Sequence, residues 1–153
     1  MALSLRICFI AGEIDETSKK ECIKFEIEKQ IINFIEDGIK FFICDFEYGS
    51  GIEFAEVLVN LKKLFPQIHI LAFSPYDYSV KGDKETLRKI LNHCSVVDIV
   101  YPTSYKFWKR RIIKFINRNK AEAIIVFNSD INKKTICIMV EVYLNGGKTI
   151  IID

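Results

Sequence analysis

The sequence predicts an α/β domain of three layers, with helices covering both faces of a mostly parallel central sheet of about six strands. Two observations carry this. Short, continuous apolar runs alternate along the chain with stretches whose apolar residues recur every three or four positions. The early runs close on Gly12, Asp45 and Pro75, and the resulting β-α-β order points to right-handed crossovers between parallel strands.

Arg6 to Ala11, closed by Gly12, reads as a strand buried on both faces. A helix follows, with Asp15 or Thr17 available as its N-cap, an apolar stripe of Ile23, Ile27, Ile31, Phe34 and Ile35, and Gly38 placed as a C-cap. Phe41 to Cys44 is the second strand, ending at Asp45, and Phe46 to Gly51 is a loop. Phe54, Ala55, Leu58, Leu61 and Phe65 mark a helix that stops at Pro66. Ile68 to Phe73 is a third strand, ended by Ser74-Pro75, and Tyr76 to Asp83 is irregular. A short helix carrying Leu87, Ile90 and Leu91 leads to a strand at Val96 to Tyr101. Trp108, Ile112, Phe115 and Ile116 then mark a helix, and Ala123 to Phe127 a strand.

The last segment has two readings. Thr135 to Tyr143 is rich in β-branched residues, and Asn145-Gly146-Gly147 leads into Lys148 to Ile152, which locally is a hairpin signal. Read as a helix, Ile136, Met139, Val140 and Tyr143 form a stripe with Gly146 as cap. Topology favours the helix, because it covers a sheet face that is otherwise bare.

Composition bounds the function. The 153 residues fit one domain, 1–153, with 50% apolar and 27% charged residues. A net charge of +2 argues against a nucleic-acid partner. No apolar run reaches the roughly 20 residues of a membrane span, and Met1 to Ile10 lacks a cleavage-site pattern, so the expected location is cytoplasmic. The five cysteines are odd in number and contain no Cys-x-x-Cys pair, which suits buried, reduced thiols. His69 and His93 are isolated and off metal-ligand spacing, so no metal is expected.

In an open parallel sheet a ligand sits beyond the C-terminal strand ends, where the strand order reverses. The candidate loops are Gly12-Glu13-Ile14, Asp45 to Gly51, Ser74 to Tyr78 and Asn128 to Thr135. Gly49-Ser50-Gly51 before a helix could cradle a phosphate or be a tight turn. Glu47, Glu53 and Glu56 crowd that helix start and would oppose an anion. Lys106, Lys109, Arg110, Arg111, Lys114, Arg118 and Lys120 read first as a solvated helix face. Tyr76, Tyr78 and Trp108 could line a pocket or the contact of a homo-oligomer.

Read together, these segments resemble the YpsA-like branch of the SLOG superfamily, Rossmann-like domains related to the LOG phosphoribohydrolases and the DNA-processing protein DprA. Gly12 matches the glycine of a Gly-His-Arg after the first strand, with Glu13 and Ile14 in place of the other two. Against Gly-Gly-Ala-x-Gly-x-Asp followed by Ala-Ala-Glu, Gly49, Ala55 and Glu56 match. Asp45 and Phe46 replace the paired glycines, and Gly51 replaces the aspartate. On that alignment Gly51→Asp should be tolerated. Lys62, Pro66 and Pro75 fit, Tyr105 and Arg110 or Arg111 match loosely, and Thr135 fits a Gly-Gly-Thr turn whose glycines are Lys133 and Lys134 here.

The resemblance implies a nucleotide or nucleotide-derived small molecule as ligand. The residues expected to bind it are Gly12, Glu13, Asp45, Gly49, Ser50, Gly51, Pro75, Arg111, Lys134 and Thr135. No cofactor is named by the sequence, and no catalytic residue. The alternative is a domain that kept the scaffold and serves protein interaction. Phosphoribohydrolase chemistry is disfavoured, because the acid nearest after Thr135 is Glu141.

Overall fold

The computed structural model describes residues 4–14, 19–46, 50–75, 84–100, 105–127 and 132–153. Strands and helices alternate: β1 (Arg6–Gly12), α1 (Lys20–Glu36), β2 (Phe41–Asp45), α2 (Gly51–Leu64), β3 (His69–Pro75), α3 (Lys84–Asn92), β4 (Val96–Val100), α4 (Tyr105–Arg118), β5 (Lys120–Val126), α5 (Lys133–Leu144) and β6 (Thr149–Ile152). The strands form one sheet in the order β4-β3-β2-β1-β5-β6, with every pairing parallel. The α/β class and the parallel sheet inferred from the sequence hold.

Strand alternation divides the apolar residues between two cores. Cys8 and Ile10 of β1, Phe42 and Cys44 of β2, and Ile124 and Val126 of β5 face α1, α2 and α3, where Ile27, Ile31, Phe54, Leu58 and Ile90 meet them. Ile7, Phe9 and Ala11, with Ala123 and Ile125, face α4 and α5, where Trp108, Ile112, Ile116, Ile138 and Val142 close the second core. Phe9 and Phe115 meet edge to face at 6.2 Å.

The ambiguous C-terminal segment is helical. Thr135, Ile138 and Val142 recur at helical spacing and are buried, and the Asn132 side chain caps the helix by accepting the Lys134 N–H at 2.7 Å. The strand after α4 starts at Lys120, earlier than its apolar run, because pairing with β1 begins at Arg6↔Lys120. Phe127 lies beyond its end. At the other end of β1, Arg6 donates to the Asp37 carbonyl at 2.7 Å and its carboxylate at 2.9 Å, tying the end of α1 to the sheet. Asp15 and Thr17, the expected caps of α1, lie outside the described residues; the helix starts after Lys19, with no side-chain cap bond.

Cys8, Cys44 and Cys137 are buried, Cys94 is half-buried and Cys22 is exposed, and all are free thiols. Burial pushes the Cys8 and Cys44 thiols well above their ordinary range and Cys94 up to about 11. An aromatic disulfide reagent should therefore label Cys22 quickly in the native protein and all five cysteines only after unfolding. Rapid native labelling of Cys8 or Cys44, read by peptide mass, would contradict this packing.

Candidate functional site

The strand order reverses between β1 and β5, so the crevice of this sheet opens beyond Gly12 and Val126, which are register partners. Gly12 has φ +110, and a Cβ there would lie 2.1 Å from the Val126 carbonyl oxygen. Only glycine lets β1 stay paired with β5 to its last residue. The chain then turns: Glu13 N–H donates to Val126 O at 3.4 Å, and Ile14 N–H donates to Ser50 Oγ at 2.8 Å. Ser50 N–H returns a bond to Gly12 O at 3.2 Å.

Gly51 opens α2 directly against the end of β2. A Cβ on it would lie 1.9 Å from the Asp45 carbonyl oxygen. Gly12, Asp45, Ser50 and Gly51 are thus brought together as expected, but they are engaged with one another. The space that Gly12, Asp45 and Gly51 enclose with Ile10, Ala11 and Phe54 is too small to admit a water molecule.

This overturns the expectation that aspartate at position 51 is harmless. The close approach makes glycine obligatory at position 51, and Glu53 lies two residues on. Glu53 is paired with Lys20 at 3.3 Å and Lys24 at 4.0 Å. Glu47, Tyr48 and Gly49 lie outside the described residues.

The second half of the site is a column joining β2, α4 and α5. Asp45 is buried, and its Oδ2 accepts from Trp108 Nε1 at 3.1 Å. Trp108 stacks on Tyr105 with ring centroids 5.9 Å apart. Lys134 Nζ lies over the Trp108 ring at 5.1 Å, and Lys133 Nζ over Tyr105 at 4.4 Å. Trp108, expected from the sequence as an exposed aromatic, is buried. Its helical stripe with Ile112 and Ile116 was the signal for this, since all three point to the sheet.

Thr135 is fully buried, and its hydroxyl has no hydrogen-bond partner among the described residues. Burial raises the pKa of Cys137 two residues on, and burial with the Cys137 thiol beside it raises that of the Tyr105 hydroxyl. Both groups stay protonated at neutral pH.

Of the remaining expected residues, Glu13 and Arg111 are exposed, and Pro75 ends β3 beside Val100. The outer face of α4 carries exposed Lys106, Arg110, Lys114 and Arg118, in keeping with a solvated helix face. His69 is structural: Nδ1 lies 2.9 Å from Ser95 Oγ, and the ring stacks on Phe41 at 5.0 Å. A groove of about 440 Å³ between α1 and α2 is lined by Glu21, Glu28, Glu53 and Glu56 with Lys24 and Phe25. Its carboxylates make it unsuited to an anionic ligand. No cluster of metal-ligating side chains occurs among the described residues.

The model of the YspA SLOG family (YpsA) matches residues 13–143. Proteins named UPF0398 from Bacillus cereus (strain ATCC 14579) and Bacillus thuringiensis (strain Al Hakam) are each 28% identical over 90 residues, 56% of this chain and 49% of theirs. The matched stretch thus covers about half the length of these curated relatives.

Two substitutions test the crevice. Gly51→Asp should destabilise the fold by at least about 2 kcal/mol, because either the β2 carbonyl or the start of α2 must move. Ser50→Ala should cost about 1–3 kcal/mol by orphaning the buried Ile14 N–H. Urea midpoints unchanged from the parent protein would refute both contacts.

Proposed function

The chain belongs to the YspA SLOG family, and on that premise we propose that it is a binding module for a phosphorylated, nucleotide-like small molecule rather than an enzyme. The phosphate sits at the first turn of α5, beside the β1/β5 crevice. The observation that carries this reading is the pair Lys133 and Lys134 in that turn, which itself contains no acidic residue. Cations at the positive end of a helix dipole are unfavourable in isolation. A bound anion reverses the sign of that interaction, and helix N-termini are ready-made phosphate sites. Support comes also from the buried Thr135 hydroxyl, a donor within the same turn. Tyr105 and Trp108 give the site an aromatic wall.

The site differs from the one expected from motif alone. Ser50 and Gly51 are committed to the β1 and β2 ends, so the phosphate contact falls on α5. A hydrolytic role is poorly supported. Glu141 lies six residues beyond Thr135, about 9 Å along the helix, and Glu56 lines the groove of α1 and α2. A second reading, a scaffold that serves protein interaction without a ligand, draws on the closed space over Gly12 and Gly51.

Trp108 is the only tryptophan of the chain, which makes its emission a local reporter. Titration with AMP, ADP-ribose, NAD and inorganic phosphate should change Trp108 fluorescence saturably for at least one nucleotide. Lys134→Glu should weaken that response about tenfold or more, given the worth of a charge-assisted contact. No response to any of the four would favour the ligand-free reading. Release of free base from AMP by the parent protein, lost in Glu141→Gln, would replace binding by hydrolysis.

A further inference from the structure

We infer that the outer face of α5 and the edge strand β6 form a self-complementary surface that joins two copies of this chain about a two-fold axis. On α5, Ile136, Val140, Tyr143 and Leu144 are 43%, 46%, 77% and 67% exposed. Their spacing of four, three and one places them in one stripe, opposite the buried Thr135, Ile138 and Val142. Beside them, Ile151 of β6 is 51% exposed, and its strand neighbours Ile150 and Ile152 turn to the α1 face, so Ile151 lies on the α5 side of the sheet. Phe127, whose N–H donates to Ile152 O at 2.8 Å, extends the patch at the strand end.

Single exposed apolar residues need no explanation, and Leu5, Phe25, Leu64 and Phe107 are of that kind, each on a different segment. The α5–β6 residues are different because they fall on one helix face and the strand packed beside it. Their six side chains offer on the order of 500 Å² of apolar surface, more than half of the ~800 Å² that a stable interface takes from each partner. The patch also includes an unpaired backbone edge. Among the described residues β6 bonds β5 on one side only, and Thr149 to Ile152 carries no charge to discourage another strand.

The occupant is a second copy because the patch is an edge strand flanked by a helix, and that pair complements itself. A two-fold axis normal to the sheet sets β6 antiparallel to its mate and α5 antiparallel to its mate, apolar stripe on apolar stripe. Charge agrees with this orientation. That orientation sets the lysine-bearing first turn of each α5 near the C-terminal end of the other helix, where the carbonyl dipoles are negative. A parallel pairing would instead bring the lysine pairs together.

Sedimentation equilibrium of the full chain, from low-micromolar to sub-millimolar concentration, should show a monomer–dimer equilibrium. Tyr143→Lys and Ile151→Lys, both at exposed positions, should each weaken it by about tenfold or more while leaving the melting curve of a dilute sample in place. Orientation is read by disulfide trapping in a Cys22→Ser background: a mixture of Ile136→Cys and Leu144→Cys chains should cross-link to each other in preference to themselves. A chain that stays monomeric at the highest concentration, or a dimer indifferent to both lysines, overturns the interface. Equal or greater Ile136→Cys self-linking overturns the antiparallel arrangement.

Discussion

The pairing of β1 with β5 is the constraint on which the rest depends. It runs through seven registered residues, from Arg6↔Lys120 to Gly12↔Val126, and it is where the chain changes direction across the sheet. Everything before β5 grows outward on one side of β1, and β5 and β6 add on the other. The last of those pairs survives only because Gly12 has no Cβ to meet the Val126 carbonyl. Once it is fixed, the turn after β1 is delivered to Ser50, and α5 must start beside the same crevice. The crevice is therefore a consequence of strand pairing, and its glycines serve backbone contact before they serve any ligand.

A second constraint ties the α4–α5 layer to the sheet. Asp45 is a buried carboxylate, and burial of such a group is costly unless it is bonded. Trp108 supplies the donor, and the same indole presents its face to the Lys134 ammonium. Carboxylate, indole and ammonium form a short column in which each polar group has a partner of suitable sign. An anion arriving at the start of α5 would compete with the ring for Lys134, so occupancy there and the environment of Trp108 are linked through one side chain.

The fold was legible in the sequence because its signals were local. Continuous apolar runs gave the buried strands, helical stripes such as Ile27, Ile31 and Phe34 gave the faces, and Pro66 and Gly38 gave ends. Even α5, whose β-branched residues spoke for a hairpin, followed from the need to cover a sheet face. Much of the site was not legible, for a physical reason. Asp45, Trp108 and Lys134 are 63 and 26 residues apart along the chain, and nothing in a one-dimensional pattern records that one indole joins them. The Gly49-Ser50-Gly51 stretch misled in a related way. Gly51 is required by its approach to the β2 carbonyl, a distance that composition cannot express.

α5 then concentrates three separable duties on one short helix. Its inner side, with Ile138 and Val142, closes the second core. Its first turn gathers the lysines and the buried Thr135 hydroxyl, and its outer side carries the apolar stripe. These faces lie at different angles around one helix, so a substitution at one need not disturb the others, whereas a change in helix position would disturb all three together. The proposed two-fold arrangement would align the two helices head to tail, with each lysine turn near the far end of its mate. Small movements at one first turn would then be felt along the shared helical seam, and the β1/β5 crevices of the two copies would be mechanically joined through β6 and α5.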